Sequence, residues 1–117
     1  MRIGSILEDQ KIEKRVAITP EILKKYLSLG FEITLCENYG FHLGIKDQDY
    51  LDLGANISND EKEILSNSDI IVQLGMLSDE KSSLIKKDQT LIGVFNPYNN
   101  KEKLENLEKK KNKYFFS

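Results

Sequence analysis

The sequence predicts an α/β fold built on a mostly parallel sheet. Short β-branched apolar runs alternate with amphipathic helical runs along the chain. Two of the strand-like runs, "DIIVQLG" (69–75) and "TLIGVF" (90–95), are nearly continuous in apolar residues, as strands buried on both faces are. The 117 residues show no fixed-period repeat and no low-complexity linker, so they fit one domain with a real core and right-handed crossovers.

Each element has its own local reason. "RIGSI" (2–6) reads as the first strand, followed by a polar loop to about residue 14. Thr19 is a good N-cap and Pro20 suits the first helical position. Ile22, Leu23, Tyr26, Leu27 and Leu29 then form an apolar stripe that Gly30 stops. "FEITLC" (31–36) alternates and is β-branched, so it is the second strand. A loop with Gly40 and Gly44 leads to a short helix over 47–53, closed by Gly54. "ANI" (55–57) is a short third strand, and a short acidic helix runs through Ile64 and Leu65. After strand 69–75, Ser78 caps a helix expected to carry Leu84 and Ile85. After strand 90–95, "NPYNN" breaks the chain, a charged helix with Leu104 and Leu107 is expected over 101–111, and "YFF" (114–116) opens another strand. A strand signal so close to residue 117 gives the expectation of a sheet edge or of a piece of something longer.

Composition excludes several functions. At 39% apolar and 31% charged the chain is globular rather than disordered, and no apolar stretch approaches the roughly 18 to 20 residues of a membrane span. A net charge of −2 without a dense basic face argues against nucleic acid as the main partner. The one cysteine, Cys36, cannot form an internal disulfide, and the N-terminus lacks a secretory apolar region, which points to a reducing cytoplasm. Cys36 closes a strand and reads as a small buried hydrophobe.

The first strand-to-helix turn is where a dinucleotide fingerprint belongs. It holds instead "GSILEDQKIEKRVAITP", and neither G-x-G-x-x-G nor a Walker A motif occurs anywhere. Arg15 could offer a planar fork to a carboxylate or phosphate beside the helix N-terminus, or simply pair with Glu8 or Glu13 at the loop surface. The residues alone favour the pairing. Glu8, Asp9 and Glu13 are acid–base candidates, but acidic loops are common. His42, between two glycines, reads as an incidental loop residue, and "EKKKNK" (108–113) as a solvated helix end.

These motifs taken in order resemble a known family. Gly4, Glu8, Glu13, Arg15, Val16, Ala17, Thr19 and Pro20 match the N-terminal signature shared by alanine dehydrogenases and the alpha subunit of proton-translocating NAD(P) transhydrogenase. Glu37, Gly40, Gly44, Asp47, Tyr50, Gly54 and Ala55 continue it, and the later strands fit as well, so the resemblance covers essentially the whole chain. It implies a Rossmann-like or flavodoxin-like three-layer sandwich, here without the dinucleotide-binding fingerprint. In alanine dehydrogenases the strand matching "IIVQLG" is followed by a substrate-engaging lysine, and the strand matching "TLIGVF" by a catalytic histidine. Gly75 and Asn96 stand in those places, and "NPYNN" is similar to the transhydrogenase form. Ile6 and Leu7 replace the proline and basic residue common in the family.

The resemblance therefore implies the N-terminal part of a transhydrogenase alpha subunit, residues 1–117 forming the start of the N-terminal domain and the NAD-binding domain lying beyond them. Hydride transfer between NAD(H) and NADP(H), coupled to proton translocation, is implied for the complete enzyme only. The remainder of the alpha subunit and the beta subunit are the implied partners, with a homodimer when complete, cytoplasmic and peripheral to the inner membrane. The 117 residues alone are expected to bind no cofactor and to be inactive. Arg15, which matches the arginine on the substrate carboxylate in alanine dehydrogenases, is the one cleft-facing candidate. Its role without the lysine and histidine is expected to be structural. An alanine dehydrogenase-like oxidoreductase and a stand-alone interaction module are the alternatives.

Overall fold

β-branched and apolar runs become strands here because each finds a parallel neighbour to pair with. The computed structural model describes residues 1–11, 13–75 and 77–93, and the backbone of 113–116. Its strands are β1 (Arg2–Ser5), β2 (Glu32–Cys36), β3 (Asn56–Ser58), β4 (Ile70–Gln73), β5 (Thr90–Gly93) and β6 (Lys113–Phe116). They form one sheet in the order β3-β2-β1-β4-β5-β6, and every pairing is parallel. The fold is the doubly wound α/β sandwich expected of the sequence.

Helices α1 (Pro20–Ser28), α2 (Asp47–Leu53), α3 (Glu61–Asn67) and α4 (Asp79–Ser82) lie between the strands. Local chemistry fixes the ends of α1. Thr19 Oγ1 accepts from the Ile22 N–H at 3.3 Å, Pro20 occupies the first turn, and Gly30 follows the helix at φ +92°, where a Cβ would be strained. Asp60 caps α3 by accepting from the Lys62 and Glu63 N–H groups.

Side-chain alternation along the strands assigns the two faces. A Cβ on Gly4 would stand 2.0 Å from Ser68 Oγ and 2.9 Å from an Ile64 methyl, so α3 sits directly on β1 at this glycine. Ile3 and Ser5 therefore face the other side, where Tyr39 and α2's Tyr50 are fully buried. Ile3, Ile33, Leu35, Ile71 and Leu91 from the strands, with Leu23, Ile64 and Leu65 from the helices, form one continuous core.

The structure revises the reading in two places. Helix α4 ends at Ser82, so Leu84 and Ile85 lie in the turn that follows; Ile85 is nevertheless buried. A 3-10 turn, Phe41–Leu43, stands in the loop after β2. The expected break at 96–100 and the helix over 101–111 lie outside the described residues. Among the described residues no helix is long and apolar enough to cross a membrane.

Candidate functional site

Chain direction across the sheet dictates where a site forms. The chain moves outward from β1 to β3 and then returns to pair β4 against the other side of β1. Connections diverge at that boundary, leaving a crevice at the carboxyl ends of β1 and β4 where ligands bind in open α/β sheets. Ser5, Ile6, Leu7 and Glu8 leave β1 there, and Gln73, Leu74 and Gly75 leave β4.

Glu8 is the centre of this crevice. Its Oε2 accepts from Gln73 Nε2 at 2.7 Å and from the Leu74 N–H at 2.8 Å, and its Oε1 accepts from the Gly75 N–H at 3.0 Å. The carboxyl is half-buried, and desolvation pushes its pKa above the ordinary value; the Leu74 and Gly75 N–H groups pull the other way and Glu13 adds repulsion. The sequence offers Glu8 as an acid–base candidate, a surface partner for Arg15 or an ordinary loop acid; in the structure it satisfies the backbone donors at the end of β4.

Gln73 is held rigidly enough to present its amide. Its Oε1 accepts from the Ile6 N–H at 2.7 Å and its Nε2 donates to the Ile6 carbonyl at 3.0 Å, extending the β1–β4 pairing by a side chain. Ser5 completes the arrangement by donating to the Val72 carbonyl at 2.6 Å, with Gln73 Oε1 also in reach at 3.1 Å.

A buried relay links this end of the sheet to the segment carrying Arg15. The Ile18 N–H donates to the Tyr39 hydroxyl at 3.1 Å. Tyr39 in turn lies 2.8 Å from Ser5 Oγ. Ser5 donates to Val72, so the proton between Tyr39 and Ser5 belongs to Tyr39. Tyr50 donates to the Ile18 carbonyl at 2.9 Å, and the two phenol rings meet edge to face at 5.8 Å. Both backbone groups of Ile18 are thus satisfied by tyrosines, which lets Val16, Ala17 and Ile18 run buried without joining the sheet. Burial raises the Tyr50 hydroxyl to about 12 and lifts Tyr39 still further, so both stay neutral donors.

Arg15 stands where this buried segment emerges. Its side chain is 74% exposed, and its Nε and Nη2 donate to the two carboxylate oxygens of Glu13 at 2.8 and 3.1 Å. Of the two partners expected for a surface pairing, the structure gives Glu13. This guanidinium holds the Glu13 carboxyl below its ordinary pKa. His42 closes the loop from outside: its Nε2 lies 2.7 Å from the Lys14 carbonyl, and its Nδ1 lies 3.2 Å from Gln10 Nε2. The contact with a carbonyl oxygen places an N–H on Nε2. Cys36 is buried, and burial raises its thiol to about 11, as suits a core residue rather than a nucleophile.

A concavity of about 350 Å³ opens beside Glu8, lined by Leu7, Asp9, Glu61, Leu77, Ser78 and Lys81 among others. A larger groove of about 610 Å³ runs over β2 and β3 beside α3, but Glu8, Asp9, Glu13, Arg15 and His42 all lie outside its lining. The smaller concavity is the one at the switch point. Among the described residues no cluster of three or more histidine, cysteine, aspartate or glutamate side chains is placed to hold a metal ion.

Comparison with known proteins agrees with this geometry. The family described as "Alanine dehydrogenase/PNT, N-terminal domain" matches residues 5–115. An NAD(P) transhydrogenase subunit alpha protein of Rickettsia prowazekii is 34% identical over 114 residues, covering 94% of this chain and 30% of that protein. The NAD(P) transhydrogenase subunit alpha of Haemophilus influenzae is 32% identical over 111 residues, covering 95% of this chain and 21% of its own length. Among solved structures, a transhydrogenase from Sinorhizobium meliloti superposes with a TM-score of 0.91 at 25% identity, over 99% of this chain and 34% of its own. An L-alanine dehydrogenase superposes with a TM-score of 0.90 at 23% identity, over 99% of this chain and 32% of its own, a likeness of fold. The chain thus spans 30% or less of the length of the first curated relatives it matches.

Proposed function

The chain belongs to the alanine dehydrogenase/PNT N-terminal domain family, and from that membership we propose that it forms the opening portion of an NAD(P) transhydrogenase alpha subunit. The complete enzyme on this reading passes a hydride between NAD(H) and NADP(H), coupled to proton translocation. Residues 1–117 supply one wall of the cleft and its scaffold. The NAD-binding domain, the rest of the alpha subunit and a beta subunit supply the remainder, in a homodimer peripheral to the inner membrane on its cytoplasmic side.

The observation that carries this reading over alanine dehydrogenase is Gly75 at the end of β4, where the resemblance to that enzyme places a lysine. Gly75 contributes only a backbone N–H, which points at Glu8. A hydrogen atom cannot polarise a substrate carbonyl as an ammonium group does. Arg15 keeps a ligand-facing role on this reading: its exposed fork exchanges Glu13 for a partner across the completed cleft.

The test is an assay of the full gene product with its partner subunits. NADH-dependent reduction of an NADP analogue without alanine-dependent reduction of NAD is the expected result. Alanine-dependent NADH formation would overturn the assignment.

A further inference from the structure

We propose that Tyr39 is a positioning residue for the Arg15 fork, an inference that rests on the ligand-facing role given to Arg15 above. Val16, Ala17 and Ile18 are buried but belong to no strand, so no ladder of sheet hydrogen bonds sets their place. Side-chain anchors do so instead. The Ile18 N–H donates to the Tyr39 hydroxyl at 3.1 Å, and the Ile18 carbonyl accepts from the Tyr50 hydroxyl at 2.9 Å. Arg15, just before this segment, takes its own side-chain bonds from Glu13, a neighbour on the same loop that moves with it. The fork therefore inherits its place in the crevice from Ile18.

The two tyrosines are not equivalent anchors. Tyr50 ties Ile18 to α2, whereas Tyr39 lies 2.8 Å from Ser5 Oγ and so carries the link on to β1. Ser5 donates in turn to the Val72 carbonyl of β4 at 2.6 Å and lies 3.1 Å from Gln73 Oε1, the side chain whose Nε2 holds Glu8. One hydrogen-bonded line thus runs from Ile18 to the carboxyl ends of both strands at the switch point. Tyr39 is fully buried with its ring edge to face against Tyr50, so the line has little freedom to bend. Placement matters in a cleft, where an error of about 1 Å can cost on the order of 100-fold.

The experiment uses the full gene product with its partner subunits and follows NADH-dependent reduction of an NADP analogue in Tyr39→Phe, Arg15→Ala and the double variant. Arg15→Ala is expected to raise KM for NADH about tenfold and Tyr39→Phe about threefold, with KM for the NADP analogue unchanged in both. In the double variant Tyr39→Phe should add nothing to the effect of Arg15→Ala, since a residue that acts through the fork then has nothing to act on. A merely structural tyrosine lowers the folded fraction, and with it the apparent kcat, equally in both backgrounds and leaves KM alone. That pattern, KM effects that multiply, or an Arg15→Ala protein with unchanged KM would overturn the proposal. If Tyr39→Phe does not fold, Ser5→Ala takes its place in the cycle, because it cuts the link to β1 and keeps the Ile18 bond; the same outcomes support or refute. Failure of the underlying reading shows separately, in the unaltered complex: alanine-dependent NADH formation there would move the same cycle to KM for alanine, with non-additivity again supporting Tyr39 and multiplied effects refuting it.

Discussion

Replacing Gln73 with methionine tests the side-chain pairing that completes the β1–β4 boundary. Methionine matches the length and bulk of glutamine but offers no amide. Gln73 is 2% exposed, and its amide is the partner that Ile6 N–H and Ile6 carbonyl have at this end of β1. The variant leaves both groups buried without it. Each unsatisfied group costs about 1–3 kcal/mol, and Glu8 loses one of its three donors as well. A loss of about 3 kcal/mol is therefore expected. That is a large share of the roughly 5–15 kcal/mol available to a domain, and it lowers Tm by about 10 to 15 °C. Urea titration followed by far-UV circular dichroism measures it. Gln48→Met is the control, since Gln48 is exposed and, among the described residues, its side chain bonds Asp52 on its own helix; it should change stability by no more than about 0.5 kcal/mol. A Gln73→Met loss below about 1 kcal/mol would show that Ile6 does not depend on this amide.

Three further perturbations address the neighbouring contacts. Tyr39→Phe removes the acceptor of a buried N–H and should cost about 1–3 kcal/mol, more than Tyr50→Phe, which removes a donor from a more tolerant carbonyl; equal losses in paired denaturation curves would contradict this ordering. Gly4→Ala forces a Cβ into Ser68 Oγ and should cost at least about 2 kcal/mol, part of which Ser68→Gly should restore in the double variant; additive effects would refute the contact. Glu8 has a pKa raised by folding, so the folded state holds its proton more tightly than the unfolded state. Wild-type stability relative to Glu8→Gln should therefore be fullest below the ordinary glutamate pKa and fall as pH rises from there through the raised value. A rise over that window in urea midpoints would reverse the assignment of burial as the dominant effect.

Helix ends were legible because their signals are local. Thr19, Pro20 and Gly30 bracket α1 within eleven positions of chain, and α2 begins at Asp47 and closes before Gly54 as its sequence requires. The extent of α4 was not legible: Leu84 and Ile85 fit a helical stripe, but they reach the core from a turn instead. The site divides in the same way. Arg15 announces itself within its motif, whereas the partners of Glu8 lie 65 to 67 residues away and become neighbours only when β4 pairs with β1. One signal was present. A glutamine inside the apolar run "IIVQLG" must find partners if the strand is buried, and that requirement points to a polar arrangement at its end.

The tyrosine pair around Ile18 also bears on the order in which the molecule assembles. Residue 18 cannot settle until chain 21 and 32 positions downstream has folded back over it. Closing those loops costs entropy before any hydrogen bond is gained. The arginine's platform is therefore a late product of folding, and it belongs to the same cooperative unit as β2 and α2. Amide exchange at Ile18 reports the opening of that unit as a whole.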